Sequence, residues 1–387
     1  VSGASSTEAP RGRALRRAVP GRAASSPAPS APPGGPSAAR RLLGRLILPL
    51  GAILVVVSVL VAIALGQADL SVREVWTVAS ERLGLAWVQR PALGLHGVEV
   101  EPIRASLVWD LRLPRVLTAV LVGGGLACVG AVMQTLMRNP VADPYLLGIS
   151  SGASLGAVSV IVVGLGGGLI AVSSGAFVGA IGSFVLVLAI GQHAGTLQPG
   201  RVILAGVAVG AFFAAVTSFL IIWVADPQAT QEVQFWQSGS LAAARGPSVA
   251  TASAVLVPVL VLFLASSRAL NAFAFGPDAA ATLGIQVERV RWLLLVACAL
   301  LTGVLVAVSG TIGFVGLLVP HAMRFLVGSD HRRLLPASLL AGGLLLLWVD
   351  VLARTAFAPR ELPVGIITAL VGVPVFVWIL RRQRARV

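Results

Sequence analysis

Apolar residues along this chain come in long runs rather than in alternation. The first run covers Leu46–Gly66. Nine more follow at Val116–Leu136, Leu146–Leu165, Leu169–Gly191, Val202–Val224, Ala250–Ala265, Leu293–Val308, Thr311–Val327, Leu334–Leu352 and Val364–Leu380. A helix crosses a bilayer core with roughly 20 apolar residues, and most of these runs come close to that length. A membrane barrel would instead alternate apolar and polar positions over about 10 residues. The pattern predicts an all-α polytopic membrane protein of about ten transmembrane helices.

The polar stretches between the runs carry the topology. Arg40, Arg41 and Arg45 flank the first run, and RRQRARV closes the chain. Arginine concentrates on the side that would hold both termini, which the positive-inside tendency places in the cytoplasm. Residues 67–110 then form an outside segment of mixed charge, in which Ser71–Gly84 reads as an amphipathic helix with Val75, Val78 and Leu83 on one face. Residues 266–291 fall inside, too polar to span, with a short helix over AAATLG ended by Gly284. Residues 1–45 read as a disordered basic tail, because Ala, Ser, Pro, Gly and Arg bury too little surface to offset the entropy of ordering. No signal peptide is read there, since the apolar run begins only after Arg45 and is too long for one. Residues 46–382 form the transmembrane domain.

Composition narrows the chemistry. The chain is 57% hydrophobic and 11% charged, against about 25% charged in soluble domains. All 29 basic residues are arginine. Without lysine there is no GxxxxGK[ST] phosphate loop and no Schiff-base chemistry. The net charge of +14 invites a nucleic-acid reading, but the arginines sit at run edges and in both termini, not in a basic patch. Cys128 and Cys298 lie mid-run and read as small buried hydrophobes. His321 is a lone donor where a transition-metal site needs several, and His96, His193 and His331 have no partner motif. Paired carboxylates and nucleophile triads are lacking, so no catalytic residue, metal or cofactor is assigned. An ion-coupled secondary transporter would need polar coupling groups near the midplane, and the runs offer almost none.

Small residues four apart recur in three successive runs: Gly152 and Gly156, Gly175 and Gly179, Gly206 and Gly210. Such spacing lets helix backbones approach closely in lipid. Runs two to five and seven to ten are blocks of similar length entering from opposite sides, which fits an inverted repeat.

Four segments carry a resemblance: RLPR (112–115), GAVMQTLMRNPVADPYLLGISSGA (130–153), GTIGFVGLLVPHAMRFLVGSDHRRLLP (310–336) and ELPVGIITALVGVPVFVWIL (361–380). Together they resemble the FecCD family, permease subunits of importers for iron-siderophores, haem and cobalamin. The likeness spans about residues 46–382. It implies a type II ABC importer permease in a bacterial plasma membrane, working with a second copy or a sister permease. ATPase subunits would sit at the cytoplasmic face and a substrate-binding protein outside, with a ferric siderophore as the expected cargo and haem or cobalamin as alternatives.

The resemblance also assigns roles. Arg112, Arg115 and Arg354 match outer arginines that pair with acidic residues of the binding protein. They could equally anchor helix ends, and Arg354 could pair with Asp350 in its own helix. Asn139 and Val141 match positions that narrow the path in cobalamin-transporting members, with Val141 where those carry Leu. Asn139 could also simply end a helix before Pro140. A Thr-Ser pair forms the second constriction there, and Pro199-Gly200 stands in its place here. The 266–291 loop matches the coupling helices that enter a cleft on the ATPase, with Ala279, Ala280, Ala281, Leu283 and Gly284 as contacts.

Overall fold

The computed structural model describes residue 3 and residues 38–66, 70–82, 84, 100–164, 171–193 and 196–384. Most of the 1–45 tail, much of the outside segment, Leu83 and residues 385–387 lie outside the described residues. The chain divides into residues 1–42, of which only residue 3 and the opening of the first helix are described, and residues 43–387. All packing below belongs to the second unit.

Helix α1 (Ala38–Ala64) is followed by α2 (Val72–Arg82) and α3 (Pro102–Ser106). A π-helical turn over Leu107–Arg112 joins α3 to α4 (Leu113–Leu136). Then come α5 (Ile149–Val163), α6 (Val172–Gly191), α7 (Pro199–Trp223), α8 (Pro227–Gln237) and α9 (Gly246–Ala265). Two short helices, α10 (Ser267–Phe273) and α11 (Pro277–Thr282), lead to α12 (Val287–Ser309), α13 (Val315–Val327), α14 (His331–Thr355) and α15 (Val364–Arg384). A two-residue hairpin pairs Gln192 with Leu197 between α6 and α7.

Among the described residues, seven helices are long and apolar enough to cross a membrane, and α5, α13 and Val364–Trp378 are shorter apolar helices. Together they occupy the ten apolar runs. α2 opens on a reciprocal cap: Ser71 Oγ accepts from the Glu74 amide and Glu74 accepts from the Ser71 amide at 2.7 Å. That amide bond, ahead of the Arg104 ion pair, holds the Glu74 carboxyl below its ordinary range. The Arg104 pair ties α2 to α3, and Val75 and Val78 are buried.

Two boundaries depart from the apolar pattern. The helix ending in α4 starts at Pro102, so residues assigned to the polar outside segment continue it. Proline suits a first helical turn, and Ser106 donates to Asp110 one turn on. The eighth helix starts four residues later than its run, because Gly310 and Phe314 both have left-handed φ, 67° and 68°. The extended backbone between them is clamped by Tyr145, whose hydroxyl donates to the Ile312 carbonyl at 2.9 Å and accepts from its amide at 3.0 Å. Non-helical backbone at membrane depth is tolerated only when satisfied in this way.

α4 is the axis. Every residue from Val122 to Leu136 is buried, whereas α1 leaves Leu50, Ile53, Leu54, Val56 and Val57 exposed to lipid. α4 packs on α14, α13, α12 and α9. Where α4 crosses α13, Gly130 lies against the Gly316 carbonyl, and where α5 crosses α6, Gly152 and Gly156 lie against the carbonyls of Gly179 and Gly175. A β-carbon at any of these three would collide with backbone.

Gly130→Ala should therefore lower thermal stability in detergent by several degrees, overpacking costing about 1–3 kcal/mol or more. Gly182→Ala, where no heavy atom lies within 4 Å of the new carbon, should be neutral or slightly stabilising. Equal melting shifts for the two would contradict the packing.

Candidate functional site

At one end of the bundle, four charged elements converge. The π-helical turn delivers Arg112 inward, where its guanidinium donates to the carbonyls of Ile63 at 2.8 Å and Ala64 at 3.0 Å. Arg354, in the last turn of α14, donates to the carbonyls of Leu65 at 2.8 Å and Ala62. These carbonyls close α1, where no intrahelical donor remains, and a cation suits the negative end of the helix dipole. Arg115 donates Nε to Asp350 at 3.0 Å and Nη1 to Glu361 at 3.0 Å. Arg354 Nε lies 3.5 Å from Asp350 one turn away. Arg112, Arg115, Arg354 and Glu361 line a cavity of about 310 Å³ with Arg245. The three arginines expected at a docking surface thus belong to one cluster, each guanidinium engaged inside the fold. Among the described residues, exposed cations at this end include Arg245 and Arg360, with Arg73, Arg82 and Arg104 on α2 and α3.

At the other end of α4 the chain turns sharply. Arg138 has a left-handed φ of 49°, and Asn139 Oδ1 accepts from the Val141 amide at 3.0 Å. Asn139 and Val141 are both half-buried at this turn. Of the five expected coupling residues, Ala281, Leu283 and Gly284 are exposed and Ala279 is half-buried. Ala280 is the correction: it is fully buried, because its side of α11 turns into the protein. Phe275, 81% exposed, joins the accessible set.

Next to this turn lies a polar network that sequence reasoning missed. His331, for which the sequence offered no partner motif, opens α14 and is 3% exposed. Its Nδ1 lies 2.7 Å from Asn271 Oδ1 and its Nε2 lies 2.8 Å from Thr135 Oγ1. Asn271 donates to Asp330 at 2.8 Å, and that bond, first among several, holds the Asp330 carboxyl below its ordinary range. Arg324, left within a run by the sequence, bonds Gln134 Oε1, while Gln134 donates to the Leu317 carbonyl at 3.2 Å. The only sequence hint was His331 between Asp330 and two arginines. His321 instead stacks edge-on against Phe325, 5.2 Å between ring centres.

Between α5 and α7 is a recess of about 280 Å³ lined by Ser150, Ser151, Ser154, Thr217 and Ser218, with Thr311 of the broken segment and Gln237 at the end of α8. It contains no charged side chain. The sequence signal was available in the SSGAS run, which was read as packing alone.

Residues 54–382 match the FecCD transport family. The chain is 40% identical over 351 residues to the hemin transport system permease HmuU of Yersinia pestis, covering 89% of this chain and 98% of that protein. It is 40% identical over 291 residues to the cobalamin import system permease BtuC of Halobacterium salinarum, covering 72% and 74%. A solved inward-facing transporter of metal-chelate type superposes with a TM-score of 0.74 at 28% identity, over 87% of this chain and 99% of that one.

Asp350 is 1% exposed between two arginines, and Glu361 is 32% exposed. Breaking a buried ion pair from one side costs about 3–5 kcal/mol, an exposed one about 0–1 kcal/mol. Asp350→Ala should therefore depress the melting temperature far more than Glu361→Ala. Similar shifts would mean Asp350 is not the centre of the cluster.

Proposed function

We propose, for a chain that belongs to the FecCD transport family, that its cargo is an iron chelate, either a ferric siderophore or haem. Membership makes the chain a multi-pass membrane permease subunit of an ABC importer, itself not an enzyme. Such permeases work with ATPase subunits, a binding protein and a second permease. What supports the iron reading most is the match to the hemin permease, which runs nearly the full length of both chains.

In this reading both termini are cytoplasmic, the α10–α11 segment meets the ATPase, and the arginine cluster faces the binding protein. Exposed Ala281, Leu283, Gly284 and Phe275 offer a small apolar docking face. Arg112, Arg115 and Arg354 act in docking by setting a positive field at their end, which steers an acidic partner. Exposed Arg360 supplies a fork that reaches carboxylates, and Arg245, one nitrogen of which donates to the Ala242 and Ala244 carbonyls, adds charge beside it. Asn139 and Val141 narrow the path. The hydroxyl-lined recess forms part of its wall, since polar groups on a lipid-facing side call for a partner surface, here the second permease.

The cargo is tested by growth. Expressed with its ATPase and binding protein in a host lacking its own importers, the chain should restore growth on hemin or on a ferric siderophore as sole iron source. Rescue of cobalamin-dependent growth alone would overturn the iron reading. For coupling, Leu283→Glu should cut ATPase-subunit capture about tenfold, or about 1.4 kcal/mol, in a pull-down from detergent. Undiminished capture would move the ATPase contact elsewhere.

A further inference from the structure

The turn at Asn139–Val141 and the coupling segment meet through a chain of hydrogen bonds that runs inward from exposed Asp330 to buried Thr135. An ionised carboxylate only accepts, so Asp330 takes the bond from the Asn271 amide at 2.8 Å. The Asn271 oxygen therefore faces His331, where it accepts from the His331 backbone amide at 3.0 Å and from Nδ1 at 2.7 Å. With the proton on Nδ1, Nε2 of the neutral ring is an acceptor 2.8 Å from Thr135 Oγ1, whose single proton is shared between that nitrogen and the Ala131 carbonyl at 3.0 Å. Each partner thus sets the tautomer or rotamer of the next, from the short helix α10 through the start of α14 to the last turn of α4.

The bonds beyond Thr135 lead into the turn. Its carbonyl accepts from the Arg138 amide at 3.2 Å, and the neighbouring Gln134 carbonyl accepts from the Asn139 amide at 3.1 Å. The Arg138 guanidinium also lies beside Gly276, between α10 and α11, close enough that a β-carbon placed there would be 3.8 Å from one of its nitrogens. α10 is seated in the protein by buried Leu270, Ala272 and Phe273, so movement of α11 reaches this chain and is not absorbed by slack in the loop.

We infer that Asn271, His331 and Thr135 form a relay through which displacement of the coupling segment moves the Asn139–Val141 turn. The inference rests on the reading of α10–α11 as the ATPase-facing segment. His331 and Asn271 are positioning residues here; neither touches cargo or nucleotide. The relay spans α10, α14 and α4, so the turn responds as part of a rigid body and not as a free loop.

The test uses the permease–ATPase complex in nanodiscs with a reporter thiol, Val141→Cys. The native Cys128 and Cys298 are buried and stay silent to a maleimide. Between nucleotide-free and vanadate-trapped ATP states, the labelling rate of the reporter should change about fivefold or more, the lower range of allosteric coupling. Thr135→Val, which keeps the side-chain shape and removes the hydroxyl, should reduce that change below about twofold while ATP is still hydrolysed. Thr135→Ser, which keeps the hydroxyl, should restore it. Asn271→Ala should behave like Thr135→Val, and His331→Asn, which retains a donor toward Asn271 but cannot reach Thr135, serves if Thr135→Val fails to assemble. An unaltered nucleotide response in these variants overturns the relay, as does a parent turn whose labelling ignores nucleotide. A parent chain that captures no ATPase subunit would instead overturn the reading on which the relay rests.

Discussion

A helix that must touch four others at once inside lipid has almost no room for side chains, and that constraint on α4 governs the rest of the bundle. Lipid tails are as apolar as leucine, so helices in a membrane gain little from hiding apolar surface and associate through close contact. Gly130 against the Gly316 carbonyl, with Gly123 against Gly342, brings backbones into direct contact. Dispersion between many atom pairs then adds up. The consequence is mechanical. α4 cannot slide or rotate alone, because any shift drives its backbone into α13 or α14. Freedom survives at its two ends, and both ends carry the polar groups.

The two ends solve different problems. At the arginine end the difficulty is α1, a helix most of whose middle faces lipid and whose last carbonyls lack donors. Arg112 and Arg354 satisfy three of them and the Leu65 carbonyl just beyond. A guanidinium suits this work better than an ammonium, since its planar fork reaches two acceptors in one pose, and the chain uses arginine for every basic position. Asp350 offsets the repulsion between Arg115 and Arg354. A buried ion cluster adds little net stability compared with apolar packing. It fixes which helix ends meet, and so holds the shape of that end whatever docks upon it. At the histidine end the groups are neutral or singly charged and joined in series, an arrangement that passes displacement along.

Much of the fold was legible because membrane spans announce themselves. Among the described residues the ten apolar helices occupy the ten runs, and the Gly152–Gly156 and Gly175–Gly179 spacings mark a real backbone crossing. What escaped the sequence lay at the breaks. The late start of α13 depends on left-handed Phe314 and on a tyrosine from a distant segment, and neither shows in a hydropathy pattern. The arginine pattern picked out three residues that the fold brings into one cluster, but sequence could not tell a guanidinium facing a partner from one facing a carbonyl of α1. His331 was passed over because its partners, Asn271 and Thr135, lie 60 and 196 residues away along the chain. No periodicity links them; only the antiparallel return of α14 beside α4 does. Ala280 was hard to read for a smaller reason: successive residues on an α-helix point about 100° apart, so within one run of alanines Ala280 turns into the protein while Ala281 faces out.

The recess between α5 and α7 bears on why cargo is so hard to read from such a chain. Its lining is hydroxyl and amide, and Thr217 and Ser218 already donate to carbonyls one turn back in α7 at 2.8 and 2.9 Å. Hydroxyls committed in this way offer a passing solute lone pairs and little else. If the recess forms part of the path wall, as proposed, that is what conduction asks of it: contacts sufficient to admit a polar surface and too weak to retain it. A wall so built cannot discriminate strongly, because discrimination needs buried groups left unpaired by the wrong solute. Relatives named for hemin and for cobalamin are each 40% identical to this chain, as expected when selection of cargo acts elsewhere than on the wall. On the proposed reading, the specificity of the importer resides in the protein that docks above the arginine cluster, and the permease contributes a route that opens on demand.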